Sequence, residues 1–112
     1  MPEYVITAEN ENKVFRDQTF KDEALTYSFD FSPWAEDNGT VTTVTWTVKS
    51  GSATVSGTAL ASNVATGVVT FGGTGSNLIQ IKATNGTETK IVYLDALAKD
   101  PQSGTIDYGM VI

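Results

Sequence analysis

Four residues that flank Trp34 carry side-chain oxygens and could together bind a hard cation such as Ca²⁺: Asp30, Glu36, Asp37 and Asn38. Ca²⁺ takes about six to eight oxygen ligands, and the spacing of these four residues does not match an EF-hand loop. The sequence contains no histidine and no cysteine. Imidazole and thiolate metal sites are therefore excluded, as are Ser-His and Cys-His nucleophile pairs. We interpret the acidic residues as turns that face water, and we expect no metal and no cofactor.

The glycine-rich segment Gly72–Asn77 invites comparison with phosphate-binding loops. A P-loop needs a Lys-Ser or Lys-Thr pair after the glycines and a helix whose N-terminus faces the anion. Here Leu78 begins an alternating apolar run, and no lysine follows directly. The segment is therefore predicted to be a hairpin loop.

Two tripeptides, Asn38-Gly39-Thr40 and Asn85-Gly86-Thr87, fit the N-glycosylation pattern. Residues 1–12 lack the basic and apolar regions of a signal peptide, so the turn interpretation explains both tripeptides more simply. No pair of carboxylates is distinguished from ordinary surface charge as an acid and base pair. We expect the protein not to be an enzyme.

The net charge of −6 is concentrated near the N-terminus, since residues 1–37 hold nine of the 13 acids. An acidic chain without a basic stripe is a poor candidate for nucleic-acid binding, because attraction to phosphate supplies most of that affinity. No apolar run approaches the roughly 18 to 20 residues that span a bilayer. We expect neither nucleic acid nor membrane as a partner. The acidic first third predicts solubility or, as an alternative, contact with a basic neighbour.

The strongest structural signal is the alternation of threonine, valine and tryptophan over Thr40–Val48. A period of two in β-branched and aromatic residues is typical of a strand with one buried face. Trp46 lies on that face and needs a second layer to cover it. Ala24–Phe31 alternates in the same way, and Asn85-Gly86 predicts a hairpin between two further alternating runs.

Seven or eight short strands, with a turn signal about every ten residues, predict an all-β, immunoglobulin-like β-sandwich with N- and C-terminal extensions. The predicted division is an N-terminal strand or arm over 1–23, the sandwich over 24–99 and a C-terminal arm over 100–112. No segment has convincing helical periodicity, residues 65–67 are predicted to be a turn, and Trp34 is expected to lie as a lid over the end of the sandwich. The predicted core comprises Leu25, Tyr27, Phe29, Phe31, Trp34, Val44, Trp46, Val48, Ile79, Ile81 and Val92.

An aromatic strand, a Pro-Trp pair, an acidic turn and a Trp-containing strand follow one another over Tyr27–Val48. In this sequence they are Phe29-Asp30-Phe31-Ser32, Pro33-Trp34, Glu36–Gly39 and Thr45-Trp46-Thr47-Val48. This order resembles the small immunoglobulin-like virion proteins of tailed bacteriophages, especially phage fibre-tail adaptor proteins. The glycine-rich turn and the closing pair of strands extend the resemblance to Ala24–Leu94.

The resemblance implies a non-enzymatic structural subunit of the virion, made in the host cytoplasm. Its implied partners are other phage virion proteins, as tail, fibre or capsid subunits, and it is expected to be a homo-oligomer within the particle. Tail or fibre adaptor and capsid decoration both remain open. The alternating apolar residues of the C-terminal arm are candidate partner-binding residues, and they could pair with this domain's own edge or with a neighbour's sheet: Ile106, Tyr108, Met110 and Ile112. The alternative function is a carbohydrate-binding module for attachment to a host surface.

Overall fold

The computed structural model of the protein describes residues 3–6 and 14–100, which form two β-sheets packed face to face and one short helix. This confirms the all-β prediction. In chain order the elements are β1 Glu3–Val5, β2 Val14–Phe20, β3 Ala24–Asp30, α1 Ser32–Asn38, β4 Thr43–Ser50, β5 Ala53–Ala61, β6 Val64–Phe71, β7 Gly75–Thr84 and β8 Thr89–Lys99.

Each sheet has four strands among the described residues. Sheet I has the order β1-β3-β6-β5, and sheet II has the order β2-β8-β7-β4. The pairs β1–β3 and β2–β8 are parallel, whereas the other four pairs are antiparallel. Side chains that alternate along the inner strands fill the space between the sheets, and the largest fully buried ones include Tyr27, Phe29, Phe71, Ile81 and Leu94. Each such side chain stabilises the fold by roughly 1.5–3 kcal/mol relative to exposure.

The N-terminal segment contributes one strand to each sheet. β1 joins the edge of sheet I, and β2 joins the edge of sheet II over the whole length Val14–Phe20. The sequence predicted an N-terminal strand or arm over residues 1–23. This strand was difficult to predict because Asp17 and Thr19 occupy two of its inward positions. Buried and exposed positions alternate along β2, but apolar and polar residues do not. Residues 7–13 lie outside the described residues.

A seven-residue helix, α1, follows β3, although the sequence predicted no helix. Pro33 lies in its first turn, where the missing N–H costs nothing and the fixed φ suits a helix. The Asp30 carboxylate accepts a hydrogen bond from the Ser32 N–H at 2.9 Å, and Gly39 ends the helix with φ 108°. Seven residues are too few to show a helical period. Trp34 lies on this helix and is buried, with 4% of its surface exposed.

The turn between β5 and β6 lies at Ser62 and Asn63, and the prediction of a turn at residues 65–67 is wrong. Both turn residues have positive φ, 51° and 67°, as a tight hairpin turn requires. Gly67 misled the prediction, because it lies inside β6. A Cβ atom at Gly67 would come within 3.1 Å of the Trp46 indole. This glycine therefore marks the close approach of a ring to the backbone and not a turn.

Asn77 ties the two sheets together near the start of β7. The segment Gly72–Asn77 was predicted to be a loop, but β7 already begins at Gly75. The Asn77 side chain is 1% exposed; its oxygen accepts from the Ala53 N–H of sheet I at 3.0 Å. Its amide donates to the carbonyl oxygens of Gly75 and Ala96, both at 3.3 Å. A buried amide with its hydrogen bonds satisfied across two layers holds the sheets at one separation.

Candidate interaction surfaces

The sandwich has two long sides, each formed by the outer strands of both sheets. Among the described residues, β1, β2, β4 and β5 each have a strand neighbour on one side only. Stacking of Tyr4 on Phe15 places β1 against β2, and contacts between β4 and β5 place those strands together on the other side. An unpaired strand edge is a template for another chain, so these two sides are the candidate interaction surfaces.

The β1–β2 side is closed by aromatic rings and an inward-pointing carboxylate. Tyr4 stacks on Phe15 with ring centroids 4.7 Å apart, and both rings contact Phe29. Deeper in, the fully buried Tyr27 hydroxyl donates to the Asp17 carboxylate at 2.7 Å. Inward-pointing charge on an edge strand is a known means of discouraging edge-to-edge association.

The surroundings of the two tyrosines on this side make both phenols harder to deprotonate by raising their pKa. Burial raises the pKa of the Tyr27 hydroxyl, and the hydrogen bond to Asp17 raises it further. Burial and the nearby Asp17 charge also raise the pKa of Tyr4. Neither phenol is prepared to act as a base, and the pair Tyr27–Asp17 is a structural hydrogen bond between the sheets.

A second carboxylate fixes the turn that leaves β2. Glu23 accepts hydrogen bonds from the Thr19 hydroxyl and from the Phe20 N–H, the latter at 3.0 Å. These two bonds, the Thr19 bond first, lower the pKa of Glu23. Since Glu23 is exposed, this carboxylate organises a surface turn.

The β4–β5 side is open and lined by partly buried apolar residues. A cleft of about 230 Å³ lies between the two strands, and we name it the β4–β5 cleft; its lining residues are Thr42, Thr43, Val44, Trp46, Thr58, Ala59 and Leu60. Trp46 packs edge-on against Phe29 at 5.5 Å, while its ring remains partly exposed to the cleft. β4 is eight residues long and directs no charged side chain inward. This long edge lacks the protection of the β1–β2 side.

A second depression of about 430 Å³ lies on the outer face of sheet II. Arg16 and Asp95 form an ion pair across it, with 3.7 Å between Nε and Oδ2. Both side chains are partly or largely exposed, so the pair contributes little stability. The depression is open, its lining is about equally polar and apolar, and the residues that line it form no arrangement that would perform chemistry.

The oxygen-bearing residues near Trp34 do not converge. Asp30 accepts from the Ser32 N–H, Glu36 and Asp37 are exposed on α1, and the Asn38 amide donates to the Trp34 carbonyl oxygen at 3.0 Å. Within residues 3–6 and 14–100 no group of three His, Cys, Asp or Glu side chains could hold a metal ion. No helix in that part of the chain is long and apolar enough to cross a membrane.

The structure places the predicted core residues in two groups. Seven are buried between the sheets or beside them: Tyr27, Phe29, Phe31, Trp34, Ile79, Ile81 and Val92. Four are only partly buried and pack against that core: Leu25, Val44, Trp46 and Val48. Three of these four belong to β4, because β4 is an edge strand and the second layer covers it incompletely. The predicted partner-binding residues lie outside the described residues: Ile106, Tyr108, Met110 and Ile112.

Sequence reasoning missed the polar groups that hold the layers together. Asp17, Asn63 and Asn77 all bond to groups distant in sequence, Asn63 by accepting from the Val41 N–H at 2.9 Å. Asp17 and Asn77 are spaced two residues from inward-facing apolar neighbours, and this spacing was the sequence signal that their side chains face inward. Polar residues at such positions usually indicate a loop, so the signal was missed.

A family model supplies the comparison that decides the family. The model described as "Podophage GP4 fiber-tail adaptor protein gp77" matches residues 20–92, well over half of the chain. The chain belongs to this fiber-tail adaptor family. The resemblance drawn from Ala24–Leu94 is thereby confirmed. Membership in the adaptor family supports a structural role in the phage virion and suggests a non-enzymatic protein that binds other virion proteins.

Other comparisons add no functional argument. No curated protein matches the chain. Among solved structures, domains 4 and 5 of the S-layer protein SbsC match with 20% identity and a TM-score of 0.47, over 78% of this chain and 43% of that one. The cysteine protease inhibitor EhICP2 from Entamoeba histolytica matches with 8% identity and a TM-score of 0.42, over 86% and 96%. Amebosin matches with 18% identity and a TM-score of 0.35, over 86% and 99%.

Proposed function

We propose that this fiber-tail adaptor is a non-enzymatic virion subunit that joins other virion proteins through its strand edges and its terminal segments. The observation that carries the proposal is the asymmetry of the two sides. The β1–β2 side is closed by the Tyr4–Phe15 stack and the Tyr27–Asp17 hydrogen bond. The β4–β5 side exposes a long edge over an apolar cleft. An open edge offers a place for a partner strand, and protection of the other edge limits unwanted association.

The C-terminal segment is the natural partner-binding arm of such a subunit. Four of its five apolar residues recur with a period of two, which suits a strand added to the edge of a sheet; Val111 is the fifth. Ordering such a segment costs conformational entropy, and new burial against a neighbour offsets that cost. The arm residues of this proposal are Ile106, Tyr108, Met110 and Ile112.

The strand order supports an immunoglobulin-like arrangement. Orders β1-β3-β6-β5 and β2-β8-β7-β4 match the A-B-E-D and G-F-C strand orders of that fold, with β2 as an added strand beside G. The β1–β3 pair departs from it, because it is parallel whereas strands A and B are antiparallel. In this arrangement loops gather at two ends and edges lie along two sides. A partner strand at those edges would suit an adaptor role or a capsid decoration role, and we favour the adaptor role because the matched family is one of fiber-tail adaptors.

Incorporation into particles tests the proposal. One variant replaces the four arm residues by serine, and a matched control replaces the four residues between and before them, Thr105, Asp107, Gly109 and Val111, by serine. We expect the first variant to fold normally, with an unchanged melting temperature, and to be lost from purified particles. The control variant should be retained. Retention of both at the level of the unsubstituted chain would refute the arm's role.

The carbohydrate-binding alternative requires a row of exposed aromatic rings. Five of the described aromatic rings are at least partly exposed: Tyr4, Phe15, Phe20, Trp46 and Tyr93. They are divided between the β1–β2 side, the β4–β5 cleft and β8, and this spread does not favour a sugar-stacking platform. A glycan array with no binding, together with unchanged tryptophan emission, would dismiss this alternative.

A further inference from the structure

The β4–β5 cleft can accept one added strand. β4 ends sheet II, and its inward positions place Val44 and Trp46 in the lining of the cleft, with Val48 further along the same face of the strand; all three are partly buried. A strand that pairs with the free edge of β4 would direct every second side chain over these residues. The partner must therefore be an extended segment with apolar residues at alternate positions.

The segment after β8 has this pattern at the right length. Residues 106–112 carry apolar side chains at every second position, and the seven residues match the seven from Thr42 to Val48. In full register, in either direction, Gly109 lies opposite Thr45, since each is the central residue of its seven. Ile106, Tyr108, Met110 and Ile112 would then face the cleft, and the residues between them, Val111 included, would face outward.

The chain's own segment cannot reach this register. In sheet II, Val48 is level with Leu94 through Ile79, so Asp100 lies six residues, or about 20 Å, beyond the level of Val48. An added strand beside β4 lies three strand spacings from β8, or about 14 Å. The distance to cover is thus about 24 Å, whereas six residues from Asp100 to Ile106 span at most about 20–22 Å.

The residue after Asp100 disfavours this path as well. Pro101 favours an extended conformation at Asp100, which opposes a reversal of the chain at that residue. An added strand antiparallel to β4 would require the chain to reverse direction directly after Asp100. An added strand parallel to β4 would require Ile106 to lie beside Thr42, at the end of β4 that is farther from Asp100. The segment of a second copy is under neither constraint.

We propose that residues 106–112 of one copy add as a strand to the β4 edge of a second copy and cover its β4–β5 cleft. This contact rests on the proposed function, because it makes the adaptor's open edge and its C-terminal arm the two halves of one self-association. Asymmetric use of the contact leaves one β4 edge and one arm free for a different virion protein, whereas reciprocal exchange closes a dimer.

Chemical crosslinking between two single-cysteine variants tests the contact. The chain has no native cysteine, so Thr45→Cys in one preparation and Gly109→Cys in another each introduce a single thiol. The two full-length variants, one of them with a larger affinity tag, are mixed and treated with a short bismaleimide. The control replaces the first variant by Gln18→Cys, whose side chain is exposed on the opposite edge strand β2.

We expect at least about tenfold more mixed dimer with Thr45→Cys than with Gln18→Cys, because docking holds the two thiols at a high effective concentration. Equal yields from both pairs would overturn the proposal. In a chain carrying both Thr45→Cys and Gly109→Cys, a crosslinked monomer as the main product would overturn the assignment to a second copy.

The same variants separate this inference from the proposed function. Variants found in purified particles without the β4 crosslink would overturn the self-association and leave the virion role standing. A strong β4 crosslink in a protein missing from purified particles would support the self-association and refute the virion role.

Discussion

Replacing Asn77 by alanine should remove a large part of the stability of this fold. The change deletes the acceptor of the Ala53 N–H and both donors, to the carbonyl oxygens of Gly75 and Ala96. A buried N–H left without a partner costs about 1–3 kcal/mol, and each lost neutral hydrogen bond costs about 0.5–1.5 kcal/mol. Since the three bonds share one side chain, we expect a combined loss of about 2–4 kcal/mol. Total stability of such a domain is about 5–15 kcal/mol.

Urea unfolding followed by tryptophan fluorescence measures this loss. With a slope of about 1–3 kcal/mol per molar urea, the midpoint for Asn77→Ala should fall by roughly 1–3 M. Asn38→Ala is the matched control, because its amide makes one described hydrogen bond, at the end of α1, and should cost less than about 1 kcal/mol. Equal losses for the two variants would refute the view that Asn77 fastens the sheets.

Three further changes test individual contacts. Tyr27→Phe removes the hydroxyl that donates to the Asp17 carboxylate at 2.7 Å. It should lower the free energy of unfolding, measured in urea, by about 1–3 kcal/mol, because the acceptor is a carboxylate. A loss below about 0.5 kcal/mol would contradict this. Gly67→Ala places a methyl group against the Trp46 indole, so it should shift tryptophan emission to longer wavelength and lower the free energy of unfolding by about 1 kcal/mol. An unchanged spectrum and an unchanged stability would show that the close approach is immaterial. Glu23 contributes stability above its unfolded pKa of about 4.3, and this contribution is lost as pH falls through its lowered folded pKa. The variant Glu23→Gln should therefore flatten the acid side of a plot of melting temperature against pH. Identical slopes for the variant and the unsubstituted chain would count against the turn bonds.

The sequence predicted most of the layered fold because apolar alternation is a local signal. Ala24–Phe31 and the two runs joined by Asn85-Gly86 show a period of two, and all of them lie in strands apart from Phe31 and the turn residues. The short helix was missed because a single turn or two contains no repeat to read. Gly67 was misread because the reason for a glycine there, the Trp46 ring on a strand of the other sheet, lies 21 positions away in the chain.

The candidate site was harder to predict than the fold, because its character depends on which strands lie at the edges. Trp46 was expected to be sealed in the core with Trp34, and only the strand order shows that β4 ends a sheet and leaves this ring partly exposed. The hydrogen bond that closes the β1–β2 side could not be predicted from the sequence either, because Asp17 and Tyr27 are ten residues apart and lie on strands of different sheets. Edges and inter-sheet bonds are properties of topology, and alternation within one strand does not specify them.

The most direct test of the central claim is the position of this protein in purified phage particles. An antibody against the folded domain, or a small tag inserted at the exposed Gly86, locates it by electron microscopy, while mass spectrometry of the same particles counts its copies. If the protein is a connecting subunit, the label should lie at the junction of tail and fibre, and the number of copies of the protein per particle should be fixed. Particles that are infectious, complete and free of this protein would contradict the account.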